Sequence, residues 1–161
     1  MNYFLYTDGS CKGNQNGINE GGYGFVLYDE KHKLIDYGCA TDKNTTNQRM
    51  ELTGAARGME IALTHLSDEN DKVSVFSDSA YFINCYTKKW YEKWRRNGWV
   101  NAAKNPIANK DLWERILPFF DDPRFSFFKV KGHLGADMND IVDKLATGTY
   151  VDEKTIRERM K

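Results

Sequence analysis

"NYFLYTDGSCKGN" occupies residues 2–14. Its first part, residues 2–7, is almost continuously apolar or aromatic, the pattern of a strand covered on both faces and therefore central in its sheet. The run ends in a lone carboxylate, Asp8, followed by Gly9, Ser10 and Cys11. A buried strand that delivers a negative charge at its end raises two questions. One is which strand lies beside it, and the other is what meets the charge.

Downstream, "YGFVLYDE" (23–30) and "KLIDYGCAT" (33–41) read as the second and third strands, with the charged tract 29–33 as the turn between them. From Asn47 to Leu66 the period becomes helical. Leu52, Ala55, Ala56, Met59, Leu63 and Leu66 fall on one arc, with glycine and polar residues opposite. "DENDK" (68–72) ends this helix and "VSVFSD" (73–78) is the fourth strand. A helical stretch from about Ser79 through Arg96 follows, then a loop, then a helix over 110–120. Asn109 is the N-cap candidate of that helix, which ends near Pro118 to Pro123. "RFSFFKVKG" (124–132) is a fifth strand and "ADMNDIVDKLA" (136–146) a last helix. Residues 150–161 are highly charged and read either as a loosely held helix or as a tail. This order predicts an α/β fold with one five-stranded mixed sheet flanked by helices. The first three strands form an antiparallel meander, and helical crossovers make strands one, four and five candidate parallel neighbours.

The 161 residues, 40% of them hydrophobic, suit one domain with a real core. No run of about 18 apolar residues and no basic-then-apolar leader occurs, so a soluble cytoplasmic protein without a membrane partner is expected. Cys11, Cys39 and Cys85 are odd in number and lack CxxC spacing, which argues for reduced thiols over disulfides or zinc. Net charge is zero but unevenly spread. Residues 86–110 hold Lys88, Lys89, Lys93, Arg95, Arg96, Lys104 and Lys110 against Glu92, a local +6 balanced by −6 elsewhere.

Asp8 has a counterpart in the fourth strand. "YTDGS" and "FSDSA" both place an aspartate just after an apolar run. Parallel neighbours lie about 4.8 Å apart, so Asp8 and Asp78 would stand together at the carboxyl end of the sheet, where open α/β sheets bind ligands. Glu51 lies at the edge of its helix's apolar arc. Asp143 has a similar position beside Val142 and Leu145, with Asn139 on the same face. Like charges about 4 Å apart repel by roughly 4 kcal/mol at an effective dielectric of about 20. Hard divalent cations relieve that repulsion, and two of them make a device for phosphodiester cleavage. Taken singly, each of these acids is equally an ordinary turn or first-turn residue.

Four blocks in order, "TDGSCKGN", "TTNQRMEL", "SDSAYFIN" and "VKGHLGADMNDIVDKLA", resemble type 1 ribonucleases H of the cellular form, over about Tyr3 to Ala146. The resemblance implies the RNase H fold, a single catalytic domain over 1–161, and two Mg²⁺ (or Mn²⁺) ions. It implies hydrolysis of the RNA strand of an RNA–DNA hybrid to 3′-hydroxyl and 5′-phosphate ends, with primer and R-loop removal as the role. It puts Asp8, Glu51, Asp78 and Asp143 on the metal ligands. His133, in the "GHLG" loop, becomes the histidine that aids proton movement or product release. Cys11 (through its backbone), Asn14, Asn47 and Gln48 resemble the family's minor-groove readers. Thr46 and Asn109 resemble the pocket that grips a DNA-strand phosphate. Tyr86, Trp90 and Trp94 recur at i, i+4 and i+8 within the basic tract. A helical aromatic stripe usually means core, but this one, with Trp90 and Trp94, resembles the basic protrusion (about 86–110) that supports the DNA strand.

Two departures stand out. "NQNGINEGGYG" is longer than the family's usual turn, and Asn44 stands where many relatives have a phosphate-binding arginine, with Lys43 next to it. The first strand starts so early that no extra N-terminal hybrid-binding domain is expected. The chain reads as a monomer. A DNA-cutting nuclease on the same fold and a non-catalytic hybrid-binding module are the alternatives. The amide readers weigh against the first, and the full set of acids against the second.

Overall fold

Strand β1 (Asn2–Lys12) is central in a five-stranded sheet, as its composition predicts. The computed structural model describes residues 1–12 and 20–130. In it β2 (Glu20–Asp29) pairs antiparallel with β1, and β3 (Leu34–Lys43) antiparallel with β2. On the other side β4 (Lys72–Ser77) and then β5 (Phe125–Lys129) add in parallel, giving the order β3-β2-β1-β4-β5. The 29–33 turn forms as expected. The Asp29 carboxylate accepts from the amides of Lys31 and Lys33, each at 2.9 Å, and His32 takes the left-handed conformation.

Helix α1 (Asn47–His65) lies across β1 and β2. Thr46 caps it by accepting from the Arg49 amide at 3.0 Å. Leu52, Ala55, Ala56 and Met59 are buried as their spacing predicts, but two expectations fail. Leu63 is 40% exposed, because it lies near the helix's end. The glycines are not opposite the core but on it. A side chain at Gly54 would meet the Asp8 carbonyl at 2.9 Å, and one at Gly58 would crowd Phe25 and Leu5 at 3.1 and 3.2 Å. Small residues let the helix backbone settle close to the sheet, so they belong to the buried face.

The single helix expected over 79–96 is two. Helix α2 (Ala80–Thr87) and α3 (Trp90–Asn97) are separated at Lys88–Lys89, where Lys89 adopts φ 56°. The break turns Tyr86 onto Phe120 and Phe127 in the core, while α3 carries Trp90 and Trp94 toward Trp99 and Trp113. Helix α4 (Lys110–Asp121) continues through Pro118, which is exposed, and stops at Asp122. The strand expected over 124–132 is seen as β5, and its last two positions lie outside the described residues, as does the helix expected over 136–146.

One face of the sheet packs Leu5, Leu27 and Val75 against Met59, Phe82, Trp113 and Ile116, all essentially fully buried. On the opposite face Phe4, Tyr6, Phe76 and Phe128 form a stacked row across β1, β4 and β5. Cys11, Cys39 and Cys85 form no disulfide with one another, and burial pushes the Cys85 thiol up to about 12, which keeps it protonated and unreactive. No helix among the described residues is long and apolar enough to cross a membrane.

Candidate active site

Register brings the first two acids to one corner of the sheet. Tyr6 stands opposite Phe76 in the parallel β1–β4 pair. Two residues further on, Asp8 is still within β1, and Asp78 has just left β4. Asp8 accepts from the Gly9 amide at 2.8 Å. Helix α1 closes on this corner. A side chain on Gly9 would collide with the backbone of Met50 and Glu51, so only glycine permits the approach.

Glu51 is half-buried there, and its carboxylate Oε2 accepts from the Ser79 hydroxyl at 2.6 Å. Burial pushes the Glu51 carboxyl above its ordinary value. The Ser79 hydrogen bond opposes that shift, and the nearby negative charge of Asp78 adds to it. The oxygen of Ser79 meanwhile accepts from the Phe82 amide at 3.1 Å, capping α2. Ser79 is a site residue that the sequence reading passed over; its signal was an N-cap serine directly after Asp78.

Asp8, Glu51 and Asp78 therefore flank the carboxyl ends of β1 and β4. Among the described residues, no three acidic, histidine or cysteine side chains come close enough to hold a metal ion. The donor chemistry nonetheless fits a hard divalent cation, because all three groups offer carboxylate oxygen and the charge of Asp78 bears on Glu51. Asp143, His133 and Asn14 lie outside the described residues.

A second group of expected residues surrounds the start of α1. The Cys11 amide donates to Asn47 Oδ1 at 2.5 Å, which joins β1 to α1 and leaves the Asn47 amide nitrogen as donor. Gln48 is exposed beside it. Thr46 caps the helix and Asn109 precedes α4, but Asn109 makes no side-chain cap. Its amide is engaged by Arg49, at 3.2 Å from Oδ1, and by the Tyr81 hydroxyl, at 3.4 Å from Nδ2. Arg49 also forms a two-pronged pair with Asp111 at 3.1 and 2.8 Å. Arg49 and Tyr81 were not singled out from sequence, since nothing local links residues 60 and 28 positions from Asn109.

The basic tract is less charged in effect than in count. Arg95 pairs with Asp121 at 2.7 Å and sits over Tyr91, and Lys110 pairs with Glu114 at 3.5 Å. Lys88, Lys89, Lys93, Arg96 and Lys104 make no ion pair among the described residues. Trp90 and Trp94 are half-buried and, with Lys93, Val100, Asn101, Ala102 and Ile107, line a groove of about 300 Å³.

A family model described as RNase H matches residues 1–150. A protein named Ribonuclease H from Syntrophomonas wolfei is 43% identical over 143 residues, 88% of this chain and 91% of that one. The solution structure of the PFV RNase H domain superposes with a TM-score of 0.75 at 26% identity, covering 91% of this chain and 92% of the other. LC11-RNase H1, solved in complex with RNA/DNA hybrid, has the same fold, with a TM-score of 0.66 at 22% identity over 91% of this chain and 95% of that one.

Proposed function

The chain belongs to the RNase H family of nuclease hydrolases, and from that premise we propose that it cuts the RNA strand of RNA–DNA hybrids endonucleolytically, leaving 3′-hydroxyl and 5′-phosphate ends. The observation that carries this reading is the corner where Glu51, held by Ser79, meets the charge of Asp78 beside the end of β1. The relative solved with RNA/DNA hybrid bound supports the choice of substrate.

Asp8, Glu51 and Asp78, together with Asp143, would hold two Mg²⁺ (or Mn²⁺) ions. When bound, those ions supply charge neutralisation and an activated water for phosphodiester hydrolysis. The chain's own residues do the rest. Ser79 fixes the Glu51 carboxylate by donating to Oε2, so that this ligand is oriented before substrate arrives. His133 assists the proton movement or product release that follows. The Cys11–Asn47 hydrogen bond occupies the Asn47 amide oxygen and leaves its nitrogen as donor, so that Asn47, with Asn14 and Gln48, offers amides to the minor groove. A 2′-hydroxyl both donates and accepts, so side-chain amides can read it and select RNA as the strand to cut. Thr46 and Asn109 take a DNA-strand phosphate, and Trp90 and Trp94 with the lysines of residues 88–104 support that strand further along. The reading includes a cytoplasmic monomer that clears primers and R-loops.

The test is cleavage of labelled RNA–DNA hybrid, duplex RNA and duplex DNA, with Mg²⁺ or EDTA, by wild type and by Asp78→Asn. Cutting confined to the RNA of the hybrid, dependent on metal and lost in the variant, is expected. Comparable cutting of duplex DNA would replace this reading with a DNA nuclease, and binding without cleavage would replace it with a hybrid-binding module.

A further inference from the structure

The direction of every hydrogen bond around Arg49 is set by donor and acceptor inventory. A guanidinium only donates, so the Asn109 atom that it meets at 3.2 Å is the amide oxygen. The Asn109 nitrogen then faces the Tyr81 hydroxyl at 3.4 Å. The Trp113 indole N–H, also a donor only, reaches the same hydroxyl at 3.2 Å. Two N–H groups thus occupy the two acceptor positions of the Tyr81 oxygen. Its own hydrogen must point elsewhere, and no acceptor for it is present among the described residues.

Thr46 is in the same condition. Its hydroxyl oxygen accepts from the Arg49 amide at 3.0 Å, and its hydrogen has no acceptor among the described residues. Asn109 keeps a second amide hydrogen. Thr46 at the backbone end of Arg49, Asn109 at its guanidinium and Tyr81 beside Asn109 therefore each have a donor to spare, while the Asn109 oxygen and both Asp111 oxygens are taken by the guanidinium. Asp111 also cancels the charge of Arg49, at 2.8 Å. A neutral group of spare donors matches an anion that only accepts.

We propose that Tyr81 is a further phosphate-binding residue, donating its hydroxyl hydrogen to the DNA-strand phosphate held by Thr46 and Asn109. Arg49 is the positioning residue that turns the Asn109 amide so that N–H, and not carbonyl, meets that phosphate. This rests on the reading of Thr46 and Asn109 given above and adds to it. Asn109 forgoes capping α4 because its side chain serves this network.

The experiment walks a single methylphosphonate, which replaces a charged oxygen by methyl, along the DNA strand of a hybrid and measures kcat/KM for RNA cleavage. Beyond any positions met by the lysines of residues 88–104, wild type should have one sensitive position, at this pocket. Tyr81→Phe should be roughly three- to tenfold slower on unmodified hybrid, the value of one net hydrogen bond. At the sensitive position it should lose markedly less than wild type does, because the two changes remove one interaction. Arg49→Met should show the same shortfall, and Arg49→Lys should restore part of the wild-type sensitivity. Loss of the Trp113 partner lowers stability in Tyr81→Phe, so thermal unfolding is followed alongside; a purely structural defect slows all substrates alike and leaves the penalties additive. Additive penalties, or a wild type that cleaves with no sensitive position, overturn the inference and leave the ribonuclease reading standing. A wild type that does not cut hybrid overturns both.

Discussion

The Ser79 hydroxyl donates to Glu51 at 2.6 Å while its oxygen accepts from the Phe82 amide at 3.1 Å, so one side chain both starts α2 and holds a carboxylate of α1. Ser79→Ala removes both bonds. Loss of the cap should cost about 1 kcal/mol, a fall of about 2–4 °C in Tm for a chain of this size. Cleavage should fall further than stability, with the Mg²⁺ concentration for half-maximal activity rising. Ser79→Thr, which keeps the hydroxyl, should recover most of the activity. A Ser79→Ala enzyme with an unchanged Mg²⁺ titration would show that Glu51 needs no such support.

Gly9 sets the distance between β1 and α1, since any side chain there would collide with the backbone of Met50 and Glu51. Gly9→Ala should force the helix outward at a cost of about 1–3 kcal/mol. Activity should drop at temperatures where the variant is still folded, because Glu51 moves relative to Asp8. Circular dichroism melts with activity assays at 20–30 °C below the variant's Tm (roughly, given the slope above) separate the two effects. Full activity in that range would rule out this role.

Acid should unfold the protein through identifiable carboxylates. Hydrogen bonds from Arg124 hold the Asp122 carboxyl below its usual range, and those from the Ser67 and Asp68 amides do the same for Asp71. A carboxyl lowered on folding adds stability that is present above its unfolded value, about 3.9, and is lost as pH falls through the folded one. Asp122→Asn should therefore destabilise the protein at pH 7, with the gap to wild type closing below about pH 4. Urea melts at both pH values measure this, and a gap unchanged at low pH would remove Asp122 from the account.

Within the basic tract, paired and unpaired cations should behave differently. Lys93, beside the Trp90–Trp94 groove and without an ion pair among the described residues, should when changed to alanine reduce the slope of log KM against log salt by about 1. Arg95→Ala should leave that slope nearly unchanged and act on stability instead, because its charge is already spent on Asp121. Equal slope changes for the two variants would contradict the assignment.

Much of this was legible in the chain alone. The centrality of β1, the antiparallel meander, the extent of α1 and the parallel pairing of β1 with β4 all follow from period, turn residues and crossover rules. These are signals carried by neighbouring residues or by repeated motifs. The inward glycines of α1, the outward Leu63 and the break at Lys88–Lys89 did not follow. Helical periodicity ranks faces by hydrophobicity, and a glycine's fit against a strand is a matter of distance. The αL turn at Lys89 has no glycine or proline to announce it; packing of Tyr86 on one side and Trp94 on the other imposes it.

The sequence by itself determined the α/β class, the family motifs and the acids at the strand ends, because local pattern and motif order encode them. Only the tertiary structure decided that Ser79 donates to Glu51, that the Arg49 guanidinium meets the Asn109 oxygen, and that the Asn109 amide nitrogen faces the Tyr81 hydroxyl. Those facts depend on which donor meets which acceptor across 28 to 60 residues of chain, and hydrogen-bond direction exists only once the folded backbone has brought the two atoms within reach.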